Sequence, residues 1–263
     1  MFSDEGKSRY SRQMILPEVG EAGQERLRRG RILICGLGGL GSPAAFYLAA
    51  AGVGVIGLLD GDKVEVSNLQ RQILHTTADV GRDKTESARE RLRALNPHVR
   101  LITHQEFLTD ENIESVIEDY DVVLDGLDNF QTRLLVNRAC LATGKIFVHG
   151  GVQGFTGQVM TVLPGQGPCL QCLLPLAAAN SAASGAEPVT AACLLEPGVI
   201  GVLPGVIGVL QATEALKYLL GIGDIISGRV LSYNALEARF ITVRVERNPN
   251  CTACGNRNVL QYK

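Results

Sequence analysis

The stretch Arg31-Ile-Leu-Ile-Cys-Gly-Leu-Gly-Gly-Leu-Gly41, continued by Ser42–Ala51, Val55–Leu59 and Asp60, decides the fold. After Arg31, four apolar residues run straight into a glycine turn. An Ala-rich helical segment follows, and then a second short apolar run that ends on an acid. Strand, glycine turn, helix, strand and acid in that order predict a unit in which Gly36, Gly38, Gly39 and Gly41 let the backbone approach phosphates. The helix N-terminus would offer its unpaired N–H groups, and Asp60 would bind a ribose hydroxyl. The turn alone is a weak signal, since packing can require it and unrelated chemistries share it. No Gly-x-x-x-x-Gly-Lys-Ser/Thr sequence occurs, so a bound ATP would be held in another way.

Working outward, Asp83–Leu95 reads as a surface helix with Ala88, Leu92 and Leu95 at helical spacing, ended by Asn96-Pro97. Arg100–Gln105 reads as a third strand, Thr109–Glu118 as a helix capped by Thr109, and Val122–Asp125 as a fourth strand. Gln131–Thr143 follows as a helix and Ile146–His149 as a fifth strand. Strands alternating with helices predict an α/β, Rossmann-like fold, a mainly parallel sheet with helices on both faces. After Gly157 the texture changes. Gln158–Leu163 alternates like an antiparallel strand, residues 176–191 have the small, polar composition of a flexible loop, and Val230–Glu246 suggests a closing hairpin. The expected organisation is one domain over 1–263: an N-terminal helical segment to residue 30, a nucleotide-binding half over 31–150, and an antiparallel, partner-facing half over 151–263.

Bulk properties narrow the function. The chain has 263 residues, 46% of them hydrophobic, enough for a substantial core. A net charge of −2 gives no general electrostatic case for nucleic acid or an anionic membrane. The first residues lack an apolar signal core, and Pro204, Gln211, Glu214 and Lys217 interrupt the apolar run Gly198–Leu220, so that run reads as a buried helix. The expected location is the cytoplasm. Seven cysteines argue against a closed disulfide framework. Four of them form two Cys-x-x-Cys pairs, Cys169/Cys172 and Cys251/Cys254, and together these would complete a tetrahedral sulfur site for zinc. With four protein ligands such a site has no open position, so its role would be structural; a redox role is the competing reading. Cys35 lies in an apolar strand and Cys140 on a core-facing helix, as buried thiols. His75, His98, His104 and His149 show no metal-ligand spacing and read as structural or solvent-facing.

The most specific segment is Asp60-Gly-Asp-Lys-Val-Glu-Val-Ser67-Asn68-Leu69-Gln70-Arg71-Gln72, followed by Val80-Gly81-Arg-Asp-Lys84. With Arg9-Tyr-Ser-Arg-Gln13, the glycine turn, Asp128-Asn129, both cysteine pairs and GVIGVLPGVIG (198–208), it resembles the MoeB/ThiF family of ubiquitin-activating-enzyme-like adenylyltransferases. The resemblance covers nearly the whole chain. It implies that the turn glycines border ATP, that Asp60 binds its ribose, and that Ser67, Asn68, Leu69, Gln70 and Arg71 line the site. Asn68, Arg71 and Lys84 would contact phosphates, and Asp128 would hold magnesium, with Asn129 beside it. Arg12 would reach into a neighbouring subunit's site, which implies a homodimer. Cys193 stands one residue before the position, here Leu194, at which some relatives carry a thiol that links covalently to the carrier.

The implied reaction is adenylation of the C-terminal Gly-Gly carboxylate of a ubiquitin-like sulfur-carrier protein, with a separate rhodanese or cysteine desulfurase supplying sulfur. Molybdenum cofactor, thiamine, cysteine and tRNA thiolation pathways all use such chemistry. A C-terminal carboxyl group ordinarily titrates at about 3.5, so near neutrality it is ionised and needs no general base. Three rivals stand beside this reading: a nicotinamide oxidoreductase, a tRNA-directed carboxylate activator and a non-catalytic scaffold for ubiquitin-like proteins.

Overall fold

A computed structural model describes residues 4–173 and 198–255. The loop 176–191 and Cys193 lie outside the described residues. Helices α1 (Asp4–Met14) and α2 (Gly20–Arg29) precede β1 (Arg31–Cys35), α3 (Gly41–Ala51) and β2 (Val55–Leu59). Then come α4 (Lys84–Leu95), β3 (Arg100–His104), α5 (Ile113–Ile117), β4 (Val122–Asp125), α6 (Phe130–Thr143) and β5 (Ile146–Gln153). The antiparallel part consists of β6 (Thr156–Val162), β7 (Arg229–Asn234) and β8 (Arg239–Arg244), with α7 (Val202–Leu220) preceding β7.

The strands form one eight-stranded sheet in the order β3-β2-β1-β4-β5-β6-β7-β8. The first five are parallel and the last three join antiparallel. Because β1 leads to β2 on one side and pairs with β4 on the other, the direction of winding reverses between β1 and β4. The carboxyl ends flanking such a reversal are where open α/β sheets bind ligands.

Each face of the sheet is covered, as the continuous apolar strands require. Ile32, Ile34, Ile56, Leu58, Leu124 and Val148 pack against Leu48, Leu92 and Ile207, from α3, α4 and α7. The opposite side chains, including Leu33, Val123 and Phe147, pack against Ile117, Val136 and Cys140 and against the cysteine pairs. Cys35 and Cys140 are fully buried, and burial pushes both thiols well up, out of the reactive range.

Two expectations need correction. Helix α5 is a short segment that begins at Ile113, not at Thr109. Asn112 accepts the Thr109 N–H through Oδ1 at 2.8 Å, which holds residues 109–112 as a turn. Strand β5 runs on past His149 to Gln153, because β6 folds back beside it through the register Gln153↔Thr156.

Candidate nucleotide site and cysteine centre

The glycine turn is built by contact between the turns after β1 and β4. Gly36 has φ +92°, and a Cβ there would stand 2.5 Å from the Gly126 carbonyl oxygen. A Cβ on Gly41 would stand 1.9 Å from the Gly36 carbonyl oxygen. Only glycine permits backbone approach this close. Gly39 lies under Pro204 of α7 and the stem of Arg71, with Cβ distances of 3.0 and 3.4 Å, so the long helix closes the site from above.

Asp60 joins the turn to the end of β2. Its Oδ2 accepts the Leu37 N–H at 2.8 Å and its Oδ1 the Asp62 N–H at 2.9 Å. Burial pushes its carboxyl up, while Lys84 and the two N–H donors pull it back down. The Lys84 side chain is itself buried, with Nζ 3.0 Å from Asp62 Oδ2 and 3.7 Å from Asp60 Oδ1. Lys84 therefore sits among the acids at the site's edge, a cation held ready beside the glycine turn.

The block from Ser67 to Arg71 forms a 3-10 turn, Val66–Asn68, and its continuation. Asn68 Oδ1 accepts the Glu65 N–H at 3.1 Å, and Arg71 Nη1 donates to the Ser67 carbonyl at 3.0 Å. Leu69 is half-buried, and Gln70 packs against Gly201 just before α7. Asn129 turns out to be the N-cap of α6, its Oδ1 accepting the Thr132 N–H at 2.9 Å. Asp128 beside it is exposed, and its carboxylate has no side-chain or backbone partner among the described residues. It is thus free to take a cation, and an oxygen donor next to a phosphate site suits magnesium.

Three features escaped the sequence reading. Phe107 lies against Gly61, just past Asp60, and is 66% exposed, a flat apolar surface beside the glycine turn's acid. The backbone carbonyl of Asp125 accepts from Gln211 Nε2 at 2.8 Å. His149, expected to be structural or solvent-facing, is buried and bonded to the Asp125 carboxylate. The other histidines hold ordinary partners: His75 bridges Ser87 and the Leu37 carbonyl, His104 meets the Tyr120 hydroxyl, and His98 lies near Glu5.

The four paired cysteines converge. Their sulfurs lie within 4.8 Å of one another, all buried, and no histidine or acid joins them among the described residues. Individual Sγ···Sγ distances are 4.0 Å (Cys169–Cys172), 3.7 Å (Cys169–Cys251) and 3.4 Å (Cys172–Cys254). A tetrahedral zinc with ~2.3 Å bonds sets its sulfurs about 3.8 Å apart, so the cluster fits that ion. Burial, then the neighbouring Cys172 and Cys254 sulfurs, push the Cys169 thiol up, and a bound cation would favour its thiolate.

Arg12 is exposed near the end of α1. The helix is locked down by Asn96 Nδ2, which donates to the Tyr10 hydroxyl at 2.8 Å, and by Gln13 Nε2, which donates to the Ala51 carbonyl at 3.1 Å. Ala51 is the last residue of α3, whereas the glycine turn is at its first. Eleven helical residues put about 16 Å between those ends.

Taken together, the glycine turn, Asp60 and the flanking cations lie at the reversal of an α/β sheet, the place where such sheets bind ligands, and four cysteines that could hold a metal ion stand on its other face. The chain belongs to the ThiF family, whose profile matches residues 10–253. It is 49% identical to the sulfur carrier protein adenylyltransferase of Thermus thermophilus, over 100% of this chain and 97% of the relative. It is 45% identical to the SAMP-activating enzyme E1 of Haloferax volcanii, over 95% and 90%. Against the adenylyltransferase and sulfurtransferase MOCS3 of Drosophila grimshawi the identity is 42%, over 98% of this chain and 56% of that protein. Among solved structures, Escherichia coli MccB has the same fold, with a TM-score of 0.82 at 21% identity over 100% of this chain and 76% of MccB. Among the described residues no helix is long and apolar enough to cross a membrane.

Proposed function

We propose that the protein adenylates the C-terminal Gly-Gly carboxylate of a ubiquitin-like sulfur-carrier protein. The observation that carries this reading is the convergence of the glycine turn, Asp60, Arg71, Lys84 and Asp128 on the sheet reversal, in a chain of the ThiF family. The carrier carboxylate attacks the α-phosphorus of ATP, the bond to the bridging α–β oxygen breaks, and pyrophosphate leaves. The nucleophile is already an anion, so the difficulty is bringing two negative groups together. Positioning and charge neutralisation do the work.

In this reading Asp60 and Phe107 fix the ribose and base, and the turn glycines and the Ser67–Arg71 block hold the phosphates. Lys84 leaves its carboxylate partners for the triphosphate, and Asp128 would hold magnesium, which would supply charge neutralisation at the α-phosphate. Arg12, on a helix docked about 16 Å from the turn of its own chain, serves the site of a second copy, making the working unit a homodimer. Cys169, Cys172, Cys251 and Cys254 hold a structural zinc. The antiparallel half receives the carrier, Cys193 is available as a covalent acceptor, and a separate donor supplies sulfur, all in the cytoplasm.

ATP–pyrophosphate exchange with a panel of Gly-Gly-ending carriers tests the proposal. Exchange dependent on one carrier supports it and identifies the substrate. Exchange that instead requires tRNA, or carrier binding without exchange by zinc-loaded protein, replaces it with a tRNA-directed enzyme or a scaffold.

A further inference from the structure

Behind Asp128 lies a buried polar cluster that the chemistry above leaves unused. Asp125, at the end of β4, is fully buried, and its carboxylate is divided among three groups. Oδ1 accepts the Leu127 N–H at 3.0 Å. Oδ2 meets His149 Nδ1 at 2.6 Å and lies 3.4 Å from Arg133 Nε. That Nε makes an ion pair but no hydrogen bond, so among the described residues His149 is the one side chain hydrogen-bonded to Oδ2. Arg133 instead donates through Nη2 to the Leu127 carbonyl.

Both main-chain polar groups of Leu127, the residue before Asp128, are thus held by one network. The rest of the turn is fixed independently. Gly126 N–H donates to the Cys35 carbonyl at 2.7 Å, and Asn129 caps α6. The proton on His149 can also be placed. Its Nδ1 lies 2.6 Å from Asp125 Oδ2, and a carboxylate oxygen accepts. Nδ1 then carries the hydrogen, pointed at Asp125.

We infer that His149 is a positioning residue for Asp128: its Nδ1–H fixes the Asp125 carboxylate, and through it the turn that presents Asp128 to a cation. The inference rests on the role proposed above for Asp128. Partners hydrogen-bonded directly to a metal ligand matter to metal affinity by about 10- to 100-fold; His149 acts one step further back, so the lower end, about tenfold, is the most to expect. A histidine that merely filled the space beside Phe147 would be indifferent to which ring nitrogen carried its proton.

Three substitutions separate these roles. His149→Asn keeps an N–H where Nδ1–H stands, His149→Gln carries its amide out toward the Nε2 position, and His149→Leu fills volume only. Binding of the α,β-methylene analogue of ATP is measured by calorimetry across a magnesium titration and again with the metal chelated. The His149→Leu and His149→Gln proteins should need roughly ten times more magnesium for half-maximal enhancement of binding. The His149→Asn protein should stay within about threefold of the parent, and binding without metal should be equal in all four. Identical magnesium dependence in all four proteins would overturn the inference. So would equal loss in all three variants, or a loss that persists without metal. If His149→Leu does not fold, the contrast between His149→Asn and His149→Gln decides alone. Asp128→Asn serves as the reference: if it leaves magnesium dependence untouched, the reading of Asp128 itself fails. If it abolishes that dependence while the His149 variants match the parent, only the positioning role falls.

Discussion

Replacing Gly41 by alanine tests the geometry of the glycine turn most directly. The new Cβ would stand 1.9 Å from the Gly36 carbonyl oxygen and 3.2 Å from Ile34 Cγ2. The first neighbour is backbone, so no rotamer change relieves the clash. Either α3 must shift or the contact between the turns after β1 and β4 must open. Overpacking a well-ordered interior costs about 1–3 kcal/mol, and a backbone clash belongs at the upper end. Unfolding entropy of about 2.1 cal/mol/K per residue gives ~0.55 kcal/mol/K for 263 residues, so 3 kcal/mol lowers Tm by about 5 °C. Gly205→Ala is the matched control, because no described residue lies within 4 Å of its Cβ and it is inside helix α7. Helix propensity there predicts a gain of about 1 kcal/mol, or ~2 °C. Calorimetric unfolding of both proteins, with ATP titrated into each, checks the pair. A Gly41→Ala protein with parental Tm and parental ATP affinity would refute the turn geometry.

Cys172→Ser should lose zinc, read by metal analysis, and Tm together. Releasing a loop of about 80 residues is worth ~4.5 kcal/mol, which is about 8 °C on the same scale; a metal-free variant with parental Tm contradicts a structural role. Mixing Arg12→Ala with Asp128→Ala protein should restore part of the pyrophosphate exchange that each lacks, since one site in a mixed dimer is intact. Silence after verified subunit exchange would rule out a shared site. Burial holds the His75 and His104 imidazoles below their usual range, so the unfolded chain binds more protons. Stability should therefore climb with pH up to about 6.5, the unfolded value, and then level off. In His75→Gln the slope of Tm between pH 5 and 6.5 should be shallower, and an unchanged slope would contradict that assignment.

What could be read from the chain alone was whatever rests on local chemistry. Arg31–Cys35, the glycine turn and Ala-rich α3 carry their signal within twenty residues, because a buried strand, a close backbone approach and a helix start each constrain neighbouring positions. The cysteine pairs were legible for the same reason, each pair sitting on its own tight turn, and their meeting in space followed from valence. The pair Asp125–His149 was not. It depends on β4 and β5 lying side by side and on His149 pointing to the same face as α6, facts set by the sheet rather than by either segment. Helix α5 failed differently: Thr109 and Asn112 are both good capping residues, and Asn112 turns its side chain back to the Thr109 N–H, which closes a turn before the helix starts. Phe107 looked like any apolar residue after a strand until Gly61 was found beneath it.

The two cysteine pairs lie 82 residues apart in the chain. At a synthesis rate of 5–20 residues per second, the first pair waits roughly 4–16 s on the ribosome before the second exists. During that interval two thiols with Cys-x-x-Cys spacing are present without their partners, open to oxidation or to the wrong soft metal. The fold therefore imposes an order on its own biogenesis. The parallel strands can pair first, but the centre that staples Cys169 and Cys172 to Cys251 and Cys254 can close only after β6, α7 and the β7–β8 hairpin have been made. If the four sulfurs hold zinc as proposed above, cells short of zinc or under oxidative stress should accumulate this protein arrested with its first half formed and its antiparallel half unstapled.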